Sequence, residues 1–401
     1  MKKVLIVAKY VGLPCENGNS RFTYIANILD KEKYDVELIT SDFSHEKKEH
    51  RKIDKNEIND LSYKVTLIHE LGYKKNISLK RFFSHYIFAK NVMKYLKNIE
   101  KPDIIYCAIP SLDVAKFLSK FAKKNNIRFI VDIQDLWPEA FKMVFKIPII
   151  SDLLFYPFNK TANFAYKRAD DIVAVSDTYA NRATKVNNSY KNKLSVFLGT
   201  DLDFFDRCNM ENKVIKTDNV FEIAYIGTLG HSYNIKCIID AIELLKNNKK
   251  IDNIKFVIMG NGPLKEEFEN YAKAKEINYE FTGRLDYDKM IGRLCSCDIA
   301  VNPIRKGAAQ SIINKVGDYA ASGLPVISTQ ECEEYRNLVE KYNIGFNCDN
   351  DNIDDIAEKI EKLYLNKELR IEMGKNSRKL AEELFDRKHT YIKIKKLIEE
   401  E

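Results

Sequence analysis

Short, nearly unbroken apolar runs alternate along the chain with longer amphipathic ones, the pattern of buried parallel strands joined by crossover helices. The apolar runs predict strands at Val4–Ala8, Asp35–Thr40, Ile104–Cys107, Phe129–Ile133, Asp171–Val175 and Leu194–Phe197. Helices are expected between them, at Arg21–Leu29, Leu79–Leu96, Ser111–Lys123 and Leu153–Arg168. After a polar, strandless stretch at Asp206–Asn219, the alternation restarts with strands Ile223–Ile226, Lys255–Met259, Tyr279–Phe281, Ile299–Val301 and Pro325–Ser328. The expected fold class is α/β: two tandem doubly wound, Rossmann-like lobes with a cleft between them. The lobes fall at 1–205 and 220–384, with 206–219 as linker and a closing helix at 385–401.

The length of 401 residues fits this division, because single cores stop growing at about 250–300 residues. A hydrophobic share of 45% with 15 Gly and 9 Pro excludes collagen-like and disordered chains. Charge is uneven: residues 1–205 carry 34 Lys+Arg against 24 Asp+Glu, and the remainder carries 31 against 34. That asymmetry points to an anionic partner for the first lobe, or simply to a lysine-rich solvated surface. The basic, aromatic stretch from Lys74 to Lys101 contains Phe82, Phe83 and Tyr86, which cannot all hide on one narrow helix face. It reads either as an interfacial helix on anionic lipid or as a helix packed on the lobe with its lysines in water. No recognised nucleic-acid module accompanies it, so no nucleic acid is expected.

Eight cysteines without C-x-x-C pairs argue against structural zinc and a disulfide framework, and the six histidines lack the spacing of a metal site. No metal is therefore expected. The opening MKKVLIVAKYV lacks a long apolar core and a cleavage site, and later apolar stretches break well before the roughly 20 residues that span a bilayer. A cytoplasmic protein that touches a membrane only from its surface is the expectation.

Two segments carry candidate chemistry. In Ala308–Ile327, Ser311 and Asn314 are good helix N-caps, Gly323 is a good stop, and Pro325 opens the next strand. Such a unit turns its helix N-terminus toward the carboxyl ends of the strands, where free N–H groups and Lys315 suit a diphosphate. Asp318, one turn on, has the chemistry to accept both hydroxyls of a ribose; the bland alternative is a helix cap with a Lys315–Asp318 ion pair. The second segment, Tyr225–Asn234, leaves a strand through Gly227, Thr228 and Gly230, with Ser232 and Tyr233 able to donate to phosphate oxygens. A plain strand-to-helix turn explains the same residues. The first lobe has a counterpart in Tyr10–Arg21, which includes Gly12.

Taken in order, the N-terminal glycine loop, Asp132–Glu139, Gly199–Phe205, the Tyr-Ile-Gly strand exit, Phe256–Pro263, Phe281-Thr-Gly283 and Gly317–Ile327 make the chain resemble the family 4 retaining glycosyltransferases across nearly its whole length. The resemblance implies the glycosyltransferase B fold, a nucleotide-sugar donor held mainly by the second lobe, a glycan acceptor held by the first, and no metal. It implies transfer, from a UDP-sugar by default, to a polyprenyl-diphosphate-linked or other glycan acceptor in capsule, O-antigen or exopolysaccharide assembly, with an anionic membrane surface as a further partner. No cofactor beyond the donor substrate is implied. Gly12, Gly283 and Arg284 join the donor contacts on this resemblance. The family's paired glutamates fall on Gln310, at the donor sugar, and Asp318, at the ribose. Its basic residues after the first strand of lobe two are absent at Thr228–Ser232, which leaves more diphosphate charge to Lys315. Where relatives carry His-Asp after a lobe-one strand, this chain has Gln134-Asp135, so Asp135 inherits the family's carboxylate without the imidazole. Asp201-Leu-Asp203 lies in the interlobe signature and reads as structural. Two rivals stand beside the transferase: a sugar-nucleotide epimerase or phosphorylase on the same fold, and a non-catalytic partner subunit.

Overall fold

The computed structural model describes residues 1–16, 20–75, 78–139, 148–216, 219–308 and 312–400. It divides into two compact units, Met1–Val196 with Tyr391–Glu401, and Phe197–Thr390. In the first, strands β1 (Lys2–Val7), β2 (Tyr34–Ser41), β5 (Lys64–Ile68), β6 (Ile104–Ile109), β7 (Arg128–Ile133), β8 (Asp171–Ala174) and β9 (Asn192–Ser195) form one sheet in the order β5-β2-β1-β6-β7-β8-β9, and a small hairpin pairs β3 (Phe43–Ser44) with β4 (Glu49–His50). Every pairing in the large sheet is parallel. Helices cover both faces, so the central strands read as unbroken apolar runs: β6 is buried at every residue.

The second unit holds β10 (Phe221–Ile226), β11 (Ile254–Met259), β12 (Asn278–Gly283), β13 (Ile299–Asn302), β14 (Val326–Ser328) and β15 (Gly345–Asn347) in the parallel order β12-β11-β10-β13-β14-β15. Strand order reverses between β1 and β6 in one unit and between β10 and β13 in the other. At such switch points the loops leaving the two central strands diverge, opening a crevice at their carboxyl ends.

The expected strands are all present, displaced by a few residues at their ends. Three elements lay outside the expectation: edge strand β5, edge strand β15 and the β3–β4 hairpin. Edge positions are half-buried, so β5 keeps Lys64 and Thr66 and lacks the apolar run of a central strand.

The boundaries also shift. The first unit ends at Val196 rather than 205, because Gly199–Phe205 packs into the second: Thr200 N–H donates to Phe385 O at 2.7 Å, and Arg387 N–H donates to Thr200 O at 3.1 Å. Gly199 sits at φ +60°, and a Cβ there would meet Phe385 O at 2.3 Å, so only glycine allows this closeness. The expected linker at 206–219 begins inside a helix, Leu202–Glu211, which Asp201 caps by accepting from Phe204 N–H at 3.0 Å. Asp203 pairs with Lys388 at 2.9 Å on an exposed surface. The expected closing helix is two pieces: Arg387–Thr390 belongs to the second unit, and Ile392–Glu399 returns to the first. Buried Arg21 receives that return: it donates to Asp132 at 2.7 Å, to Val196 O at 2.9 Å and to Tyr391 Oη at 3.2 Å.

Candidate functional site

The helix Asn314–Ala321 stands behind the β10–β13 switch point, and its Tyr319 pins the gap. Tyr319 Oη accepts from Ile226 N–H at 3.0 Å and donates to Val301 O at 3.1 Å, tying helix, β10 and β13 together. The helix starts one residue earlier than a capping Asn314 requires. Ile313 occupies the cap position, no side chain caps the first turn, and Asn314 is the exposed first residue. Asn314 therefore does not cap, and among the described residues no side chain accepts from the first turn's N–H groups. Ser311 and Gln310 lie outside the described residues.

Lys315 is the centre of the site. Its Nζ is buried without a hydrogen-bond partner among the described residues, held 4.1 Å from the ring centre of Tyr225 and 4.0 Å from that of Tyr233. Burial alone pushes its ammonium well below the ordinary lysine range. The amine points at the strand exit: Gly227, at φ +129°, is where a Cβ would meet Nζ at 2.8 Å. The exit loop is tightly tied, with Tyr225 Oη donating to Thr228 O at 2.8 Å and Leu229 N–H to Asn261 O at 2.9 Å. Tyr233 thus walls the amine, while Ser232 is half-buried and Thr228 exposed beside it.

Asp318 makes no ion pair with Lys315. Its Oδ1 accepts from Tyr287 Oη at 2.7 Å and from Thr200 Oγ1 at 3.0 Å, and no hydrogen bond of the described residues reaches Oδ2. Burial raises its carboxyl despite those two donors. Tyr287 stacks on Phe204 at 6.1 Å and with Thr200 orients the carboxylate; neither residue stood out in the sequence, although Thr200 lies in the Gly199–Phe205 signature. Gly283 closes β12 and Arg284 follows, exposed. The loop that follows β13 brings basic residues to the β10 turn. Arg305 N–H donates to Ser232 O at 2.9 Å, which sets exposed Arg305 and Lys306 beside the β10 turn. Their signal was a basic pair directly after the exit of β13.

In the first unit Asp135 lies just past β7, half-buried, accepting from Trp137 Nε1 at 3.0 Å, and burial raises its carboxyl. Gly12 lies in the loop after β1, which Arg51 ties by donating to Val11 O at 2.5 Å and pairing with Glu16. The helix Leu79–Leu96 has the expected bounds and a mixed face: Phe82 packs on Phe158 at 5.0 Å, while Phe83 and Tyr86 stay exposed with Leu79. Arg81 and His85 turn inward, so Arg81 is not part of the basic surface. Asp42, His50 and His69 bring one ligand atom each within 4.8 Å of one another, although 8 and 19 residues separate them in sequence. The β2–β5 pairing and the β3–β4 hairpin create that proximity, which spacing along the chain does not show. No helix of the described residues is long and apolar enough to cross a membrane.

Comparison with known proteins adds an independent line. The family model of group 1 glycosyl transferases matches residues 206–380, and that of glycosyltransferase family 4 matches residues 19–197. The capsular polysaccharide biosynthesis glycosyltransferase CapM of Staphylococcus aureus is 24% identical over 89% of this chain and 87% of its own. An α-1,4-N-acetyl-D-galactosaminyltransferase of Campylobacter jejuni, named for a PP-undecaprenol-linked acceptor, is 30% identical over 28% of this chain and 36% of its own. Among solved structures, HepE of Anabaena in complex with UDP superposes with a TM-score of 0.69 at 15% identity, covering 100% of this chain and 99% of that one. The two parallel-sheet units and these matches agree, and the chain belongs to the group 1 glycosyltransferases of family 4, built on the glycosyltransferase B fold.

Proposed function

We propose that this glycosyltransferase moves a hexosyl or N-acetylhexosaminyl unit from a UDP-sugar to a lipid-linked glycan, with retention of anomeric configuration and without a metal. One observation carries the reading. Among the described residues, Lys315 buries an amine without a hydrogen-bond partner at the mouth of β10, next to a helix start that no side chain caps, an arrangement that is costly alone and favourable once a diphosphate arrives. Breaking the anomeric C–O bond places charge on the leaving diphosphate, so donors already aimed at that position lower the barrier most. Lys315 and the N–H groups of the first turn supply them, with Arg305 at the rim, while Asp318 Oδ2 takes the ribose hydroxyls. In front-face displacement the acceptor oxygen bonds to the anomeric carbon as the diphosphate leaves from the same face. The acceptor proton passes to the departing phosphate oxygen, giving glycoside and UDP. No protein base is compulsory, and Asp135 orients the acceptor hydroxyl or the sugar.

The CapM likeness and the lipid-linked acceptor in the Campylobacter enzyme's name support polysaccharide assembly at a membrane surface. Exposed Leu79, Phe83 and Tyr86 beside Lys80 and Lys90 give a surface on which such a lipid is reached. The deciding experiment is a thermal-shift panel of UDP, GDP and ADP with their sugars. UDP and one UDP-sugar should raise the melting temperature by several degrees, since a ligand at 100 times its Kd adds about 2.7 kcal/mol. An equal or larger shift with GDP alone reassigns the donor.

A further inference from the structure

Beyond the carboxyl ends of β1, β2 and β5 in the first unit, three cations crowd one tyrosine. The ring centre of Tyr73 lies 5.3 Å from Lys9 Nζ, 5.0 Å from Lys48 Nζ and 5.6 Å from Arg81 Cζ. Tyr10, three residues past β1 in the loop that leaves it, shares two of them, with Lys9 at 5.0 Å and Arg81 at 5.8 Å. These groups come from separate elements: the exit of β1, the β3–β4 hairpin and the helix Leu79–Leu96. The nearby carboxylate of Glu70 is already engaged by Lys9 Nζ at 2.7 Å and by the hydroxyls of Ser41 and Ser84. His45 adds no charge: burial, with Lys48 and Arg81 nearby, holds its imidazole down at about 3, and its Nδ1 lies 2.6 Å from Tyr73 Oη and 3.1 Å from Lys48 Nζ. Burial, reinforced at Lys48 by Arg81, holds the ammonium groups of Lys9 and Lys48 down at about 8. Like charges gathered where the dielectric is low repel, and a multivalent anion relieves that repulsion.

We propose that this cluster is a binding subsite for a phosphoryl group of the acceptor, with Lys48 and Arg81 as its direct donors and Lys9 as the charge behind them. The cluster adjoins Asp135 through Trp137, whose indole donates to Asp135 and lies 4.5 Å from Arg81 Cζ. A phosphoryl group held there sets the attached sugar beside the carboxylate that orients it. The proposal rests on the first unit's being the acceptor side, and it narrows the acceptor to phosphorylated or diphosphate-linked glycans.

Trp137 is the chain's single tryptophan and stacks on His85 at 5.5 Å, so its fluorescence reports on this end of the first unit. With the donor site filled by excess UDP, titration with inorganic pyrophosphate should change Trp137 emission saturably. Lys48→Gln should weaken that response about ten- to a hundredfold, the scale of one charged hydrogen bond, and Lys48→Arg should restore it. Orthophosphate separates the sources: binding at least tenfold weaker than pyrophosphate assigns a lipid diphosphate, and equal binding assigns a soluble sugar phosphate. No saturable response, or a response unchanged in Lys48→Gln, overturns the subsite. The outcome is independent of the donor reading, because UDP binding is scored separately by thermal shift in the same samples.

Discussion

Replacing Lys315 with Met keeps the side chain's length and removes its amine, and it should make the free protein more stable while nearly abolishing transfer. In the free protein Nζ is buried between Tyr225 and Tyr233 with no hydrogen-bond partner among the described residues. Mutational data place the cost of such a group at about 1–3 kcal/mol. For a cooperative unit the size of Phe197–Thr390, each kcal/mol moves the melting temperature by about 2–4 °C, so the variant should melt about 2–12 °C higher. The sign is checked by pH. Burial depresses the folded lysine below its unfolded value of about 10.4, so the unfolded chain binds more protons and the wild type gains stability as pH rises toward 10. The variant's advantage should therefore shrink between pH 7 and 10. With donor present the order reverses: kcat/KM should fall about 10²–10³-fold, the loss of one preorganised donor to a leaving oxyanion. Calorimetry in buffers of different ionisation enthalpy should show wild-type UDP binding taking up a proton that the variant does not. A variant that melts lower than wild type, or that binds and transfers normally, would refute the reasoning.

Asp318→Asn should weaken UDP binding by about 1–3 kcal/mol by isothermal titration, and wild-type affinity should fall as pH drops through the raised value of that carboxyl. Asp132→Asn leaves Arg21 buried opposite a neutral amide and should cost about 3–5 kcal/mol in denaturant unfolding, with UDP affinity unchanged. Transfer should persist in EDTA; loss with recovery in a divalent cation would give Asp42, His50 and His69 a role in the reaction. Binding to anionic vesicles at low salt should disappear in a Lys74→Glu, Lys75→Glu, Lys80→Glu variant, each lysine contributing about 1 kcal/mol, while UDP binding persists.

The apolar alternation by itself marked the central strands of both parallel sheets, because a strand covered on two faces is largely apolar, and β1, β6 and β10 are read directly from it. It also marked Lys315, Asp318 and Gly227, since glycine turns and helix starts have local chemistry. What required the tertiary structure is what no local rule contains. Whether Lys315 pairs with Asp318 depends on Thr200 and Tyr287, which claim the carboxylate, and on Tyr225 and Tyr233, which enclose the amine. Arg81 appeared to belong to a surface run of basic residues until the turn of its helix carried it inward to Tyr10 and Trp137. Residues 9, 48 and 81 meet only because neighbouring parallel strands deliver their exits to one end of the sheet. Sequence patterning follows burial within an element, whereas convergence of charge depends on which strands lie side by side, and that order is settled only when the sheet assembles.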